Sequence, residues 1–161
     1  HEDHNAISNG MTLVITGPGE YESKGVKILG ISCFHDSSKG EERGKNTIFK
    51  ITMDGINICH LGDLGHKLEA AQVDFLDGVD ILLIPVGGVY TLDAKIAAEV
   101  VAQLEPKMVI PMHYSVPGLK FQLEPLEKFL QEMGKPEIKA MPKLTVSKDK
   151  LPEEMEVIVL E

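Results

Sequence analysis

The chain has 161 residues, with 25 acidic against 16 basic side chains, a formal net charge of −9, 43% hydrophobic residues, two cysteines and no tryptophan. Such a length can bury roughly 68–70% of the surface that the unfolded form exposes, enough for one globular domain. The acidic balance argues against a nucleic-acid binder working through a basic face, and no run approaches the roughly 18 to 20 continuous apolar residues of a membrane span.

In chain order, the opening His1-Glu2-Asp3-His4-Asn5 has neither an initiator Met nor a signal-peptide pattern, and reads as a processed or truncated start. Residues 11–16 are expected to be a short strand closed by the turn Gly17-Pro18-Gly19. Val26–Phe34 is a second strand candidate, ending at His35-Asp36, and the polar residues 37–45 read as a loop. Strands at 47–53 and 56–61 flank Asp54-Gly55, a tight-hairpin dipeptide. Residues 79–86 suit a strand covered on both faces, although Asp80 and Pro85 interrupt the run. Leu92, Ile96, Ala97, Val100, Val101 and Leu104 then repeat at helical spacing, with Thr91 as N-cap, Asp93 as a first-turn acid and Pro106 just beyond the end. A strand at 107–112 precedes a helix with the stripe Leu123, Leu126, Phe129, Leu130 and Met133, stopped by Gly134. The tail, 144–161, holds two β-like runs around Leu151-Pro152. With no repeat, low-complexity tract or linker, residues 1–161 are expected to form a single α/β domain in which helices cover the sheets. Cys33 and Cys59 lie in apolar runs and read as two reduced core thiols, which fits a cytoplasmic setting.

The chemistry-bearing residues fall at strand ends and loop starts. His1, Asp3 and His4 are compressed into one short segment, His35 ends a strand, Asp63 follows a strand inside Gly62-Asp63-Leu64-Gly65, and His113 ends the strand that carries Val109-Ile110-Pro111. Imidazoles with carboxylates are the ligand types that hold cations such as Zn²⁺ and leave positions open for water. A carboxylate such as Asp63 can bridge two cations, and a pair roughly 3.5–4 Å apart generates a shared hydroxide as nucleophile near neutral pH. Read singly, each residue has a plainer role. Asp63 could be a turn former, His35 a hydrogen-bonded strand end, and His60 a core histidine on the same side as Ile56 and Ile58. His66, placed at a helix start, could carry a proton or simply face solvent. Asn46 and Tyr114 are candidates for orienting a substrate, and the loops at 36–45 and 116–122 for walling its pocket.

Together these motifs resemble the metallo-β-lactamase superfamily, whose signature is His-x-His-x-Asp-His followed by a later His, an Asp and a final His. The phrases His35-Asp36-Ser37-Ser38, His60-Leu61-Gly62-Asp63-Leu64-Gly65-His66, Ile84-Pro85-Val86-Gly87-Gly88 and Pro111-Met112-His113-Tyr114 are similar to those of uncharacterised metal-dependent hydrolases related to ascorbate-6-phosphate lactonase. The resemblance implies an αββα sandwich, here lacking its N-terminal strands. It also implies two divalent ions, Zn or alternatively Mn or Fe, with His1 and His35 on the first, Asp3, His4 and His113 on the second, and Asp63 bridging. The first histidine of the signature would lie two positions before His1. Its absence leads us to expect either an upstream segment or a second chain, possible in a homo-oligomer, to complete the domain. The function so implied is hydrolysis of an ester, lactone or phosphoester bond of a small molecule, with Asp3, Asp63 and His66 as the catalytic set. The competing expectation is a non-catalytic metal-binding or interaction module whose site a partner completes.

Overall fold

The computed structural model describes residue 10 and residues 13–161. Among these, strands β1 (Gly19–Ser23), β2 (Val26–Phe34), β3 (Lys45–Met53), β4 (Ile56–His60), β5 (Ile81–Pro85), β6 (Met108–Met112) and β7 (Glu156–Val157) lie side by side in chain order in one sheet. The first four form an antiparallel meander, and β4 to β7 run parallel. Parallel neighbours need crossovers, and these carry α1 (Ala70–Leu76), α2 (Ala94–Leu104) and α3 (Leu126–Glu132).

Two tight hairpins set the register of the meander. Asp54 and Gly55 both adopt positive φ (51° and 74°), as the type I′ turn expected there requires. Lys24 and Gly25 repeat the geometry (51° and 81°) and fold β1 onto β2. This first strand is absent from the sequence expectation because Gly-Glu-Tyr-Glu-Ser lacks an apolar alternation. The strand expected at 11–16 is corrected. Leu13 to Thr16 belong to no strand, and Leu13 and Val14 stand about half exposed (49% and 50%), while Met11 and Thr12 lie outside the described residues.

The three helices cover one face of the sheet. Leu76 of α1, Ala97, Val100, Val101 and Leu104 of α2, and Phe129 and Leu130 of α3 pack with Cys33, Ile48, Cys59, Leu82, Ile84 and Val109 of the strands. Both thiols are free and buried there, and burial pushes Cys33 up to about 11 and Cys59 to about 12. The cap of α2 is Asp93 rather than Thr91. Its Oδ1 accepts the Ile96 N–H at 2.8 Å, satisfying a donor that the helix itself cannot. The opposite face carries the rows Ile28, Ile51, Ile58, Ile81, Met108 and Gly30, Phe49, His60, Leu83, Ile110. Leu144, Val146 and Leu151 of the tail pack on its parallel end. The tail forms a 3₁₀ turn (Lys148–Lys150) and the short β7 rather than two full strands. The turn is pinned by Lys148, whose ammonium meets both oxygens of buried Asp80 at 3.0 and 2.8 Å. The second sheet and second helical layer of an αββα sandwich are not among the described residues. No described helix is long and apolar enough to cross a membrane.

Candidate metal centre

β2 and β4 are each antiparallel to β3, so they run in the same direction, and β5 and β6 run parallel to β4. Their carboxyl ends therefore meet at one edge of the sheet, where α/β folds assemble sites. His35 follows β2, Asp63 follows β4, Gly87 follows β5 and His113 follows β6.

The structure brings three of the expected ligands together. The Asp63 carboxylate points one oxygen at each imidazole: Oδ2 lies 3.9 Å from His35 Nε2, and Oδ1 lies 4.0 Å from His113 Nε2. These separations exceed a hydrogen bond. They suit two donors of one cation, which at bond lengths of about 2.0–2.2 Å stand about 3.4–4.1 Å apart for angles from tetrahedral to wide. His35 is buried, and that burial holds its pKa below the usual imidazole value despite the nearby Asp63 carboxylate, with Arg43 and His113 pushing the same way as burial. The neutral imidazole favoured there is the ligating form. His113 Nδ1 is buried without a hydrogen-bond partner among the described residues. Those residues alone do not close a metal cluster of three His, Cys, Asp or Glu side chains. The other expected ligands, His1, Asp3 and His4, lie outside the described residues.

Close backbone packing puts the three loops in place. A Cβ on Gly65 would sit 2.4 Å from the His35 carbonyl carbon, and the Gly65 N–H donates to the Phe34 carbonyl at 3.1 Å. On Gly87 a Cβ would sit 2.1 Å from the His113 carbonyl oxygen, and His113 itself takes a positive φ of 54°. The glycines of Gly-Asp-Leu-Gly and Val-Gly-Gly are thus steric requirements of the site. Asn46, read as a candidate to orient substrate, lies beneath the Asp63 turn. Its Oδ1 accepts the Asp63 N–H at 3.2 Å, while its Nδ2 donates to the Leu61 carbonyl at 2.8 Å.

Asp36 is a supporting residue that the sequence reading passed over. It is buried, and its carboxylate accepts four backbone N–H groups: Ser38 and Gly40 on Oδ1 at 2.9 and 2.8 Å, Glu42 and Arg43 on Oδ2 at 3.2 and 2.7 Å. Burial alone would raise its pKa, but the four donors outweigh that and hold it below the usual range. The loop that follows His35 is therefore wound around one anion. An Asp followed by Ser, Ser and Gly is the available sequence signal.

His66 is not at a helix start, because α1 begins four residues later, after Glu69, whose N–H donates to Gln72 Oε1 at 3.0 Å. Its Nε2 accepts the Phe34 N–H at 3.2 Å, so Nδ1 carries the proton and donates to the Lys67 carbonyl at 2.8 Å. His60 is half-buried, and its Nδ1 accepts the Gly62 N–H at 3.0 Å; burial lowers its pKa against the pull of Asp63. Tyr114 packs against the helical-side core.

A single sheet with helical crossovers makes this an α/β protein, with a candidate His–Asp–His site at the carboxyl edge of the sheet. Residues 1–113 match the family described as Beta-lactamase superfamily domain, and the chain belongs to that family. It is similar to a UPF0173 metal-dependent hydrolase of Thermococcus onnurineus (36% identity, 66% of this chain, 48% of the relative). A protein of the same name in Hyperthermus butylicus is 35% identical over 73% of this chain and 50% of its own length. Among solved structures, a Thermotoga maritima member of the metallo-beta-lactamase superfamily, described as a candidate Zn-dependent hydrolase, superposes with a TM-score of 0.75 at 40% identity. That match covers 92% of this chain and 71% of the other. The chain spans about half the length of the curated relatives it matches.

Proposed function

We propose that the chain carries part or all of a metal-dependent hydrolase site that cleaves an ester, lactone or phosphoester bond of a small molecule. The observation that carries this reading is the Asp63 carboxylate, which presents separate oxygens to His35 and His113 at 3.9 and 4.0 Å. That is the disposition of a bridging ligand. His35 with His1 would hold one ion and His113 with Asp3 and His4 a second, Zn being the first candidate for this donor set. Two divalent cations bound there would polarise the substrate oxygen and bring the pKa of an attacking water towards neutrality. Proton transfer falls to Asp3 or to His66, and His66 would first have to exchange its Phe34 bond for a substrate contact. The named metal-dependent hydrolases among the relatives support the same reading.

The test is metal content by elemental analysis, paired with hydrolysis of ester, lactone and phosphodiester probes before and after chelation. Two equivalents per chain with chelator-sensitive turnover is the expected result, and Asp63→Asn should take up less metal and lower the rate about 100-fold. The same assay separates this from the competing reading, a metal-binding module without catalysis. Stoichiometric metal with no turnover on any probe would establish it. A chain that takes up no metal would remove both.

A further inference from the structure

Three loops lie at the same edge of the sheet as the candidate centre, and Val89, Tyr90 and Phe121 on two of them have no part in the metal reading. The loop at 37–44 is held by Asp36 and presents Arg43. The loop at 86–92 presents Val89 and Tyr90, and is tied to the turn that carries Asp63 by the Leu92 N–H on the Leu64 carbonyl at 3.1 Å. The loop after His113 presents Phe121 and is fastened by the Glu124 N–H on the Gly87 carbonyl at 2.7 Å and the Ser115 N–H on the Glu124 carbonyl at 3.0 Å. The Arg43 guanidinium lies 5.6 Å from the centroid of the Tyr90 ring, and Phe121 meets Tyr90 edge-on at 6.0 Å and 80°.

Large apolar side chains gathered beside a polar centre are a feature of ligand-binding surfaces. Val89, Tyr90 and Phe121 are 56%, 37% and 40% exposed. Val89 also holds φ at +54°, a conformation that a β-branched residue rarely adopts and that recurs at ligand-binding loops. Arg43 donates one N–H to Glu42 at 3.1 Å, and its guanidinium faces Tyr90. Its role is to stiffen the ring.

We propose that Tyr90 and Phe121, braced by Arg43, form a subsite for an uncharged, planar apolar group of the substrate. The hydrolysed bond would then belong to an aromatic or similarly flat ester or lactone. This rests on the hydrolase reading above, and the test separates the two. On metal-loaded protein, kcat/KM is measured for dihydrocoumarin and for γ-butyrolactone, and binding of 2-naphthol, which cannot be hydrolysed, is followed by saturation-transfer NMR. The expected result is a preference for the aryl lactone that falls about tenfold in Tyr90→Ala and in Phe121→Ala but survives Tyr90→Phe, together with 2-naphthol binding that the alanine variants lose. An unchanged preference, or naphthol binding that persists in the double alanine variant, overturns the subsite. Should neither lactone be turned over by any form, the hydrolase reading falls for these bonds, and 2-naphthol binding still decides the subsite.

Discussion

Gly65 and Gly87 show how single residues fix the centre. Each lies where a neighbouring backbone leaves no room for a methyl group, 2.4 Å from the His35 carbonyl carbon in one case and 2.1 Å from the His113 carbonyl oxygen in the other. Because backbone, unlike a side-chain tip, cannot swing aside, Gly65→Ala and Gly87→Ala should each cost about 3 kcal/mol or more in urea unfolding and displace the ligand that the glycine supports. Asn46 acts more gently. Asn46→Ala removes the acceptor of the Asp63 N–H and the donor to the Leu61 carbonyl, and should cost about 1–3 kcal/mol and weaken metal binding about tenfold in a competition titration. Asn46→Asp keeps the acceptor for Asp63 but sets a carboxylate oxygen against the Leu61 carbonyl, so it should cost at least as much as the alanine variant.

The strand β5 and the tail are joined by one ionic contact. Asp80, buried just before β5, accepts the Asn57 N–H at 2.9 Å and the ammonium of Lys148. Burial opposes its ionisation, but the Asn57 N–H and Lys148 prevail and hold its pKa below 3.8. A depressed carboxylate stabilises the fold above its unfolded value and loses that contribution as pH falls through the folded one. The wild type should therefore lose this part of its stability only below about pH 4. Asp80→Asn should be less stable at pH 7 by about 2 kcal/mol, with a flatter acid limb, both read from denaturation curves between pH 3 and pH 7. Lys148→Met should cost less, since that ammonium is half exposed (52%).

Metal, if bound as proposed, would link segments of the chain that the sheet joins only at their strand ends. Ligands drawn from the ends of β2, β4 and β6 tie residues 35, 63 and 113 to one point. A ligand present at 100 times its Kd stabilises the folded state by about 2.7 kcal/mol. For a chain of this size, chelation should then lower Tm by about 5–10 °C and Zn²⁺ should restore it, whereas Asp63→Asn should show no response to either. The same measurement on Tyr90→Ala should show a full metal response, because Tyr90 is not one of the proposed ligands.

Local order was written plainly in the sequence wherever one residue type has one conformational meaning. Asp54-Gly55 can only favour the turn that it forms, the apolar run before Gly87 is a buried strand, and the stripe from Leu92 to Leu104 has one helical face. His35, Asp63 and His113 stand out as candidate ligands only through their joint placement at strand ends together with the family resemblance, since each has a plainer role when read singly. What sequence spacing could not reveal depends on distant partners. The lysine of Lys24-Gly25 hid a second hairpin whose strand exists by pairing with β2, and Leu13 to Thr16, β-like in composition, found no strand to pair with. Asp36 became the anchor of a loop, Asn46 the prop of Asp63, and His66 a bridge to Phe34 across 32 positions of chain. Composition and periodicity thus determined the elements, because they report on a residue's own backbone and the face it buries. Only the tertiary structure decided which strand ends meet, since that follows from the direction each strand takes in the sheet.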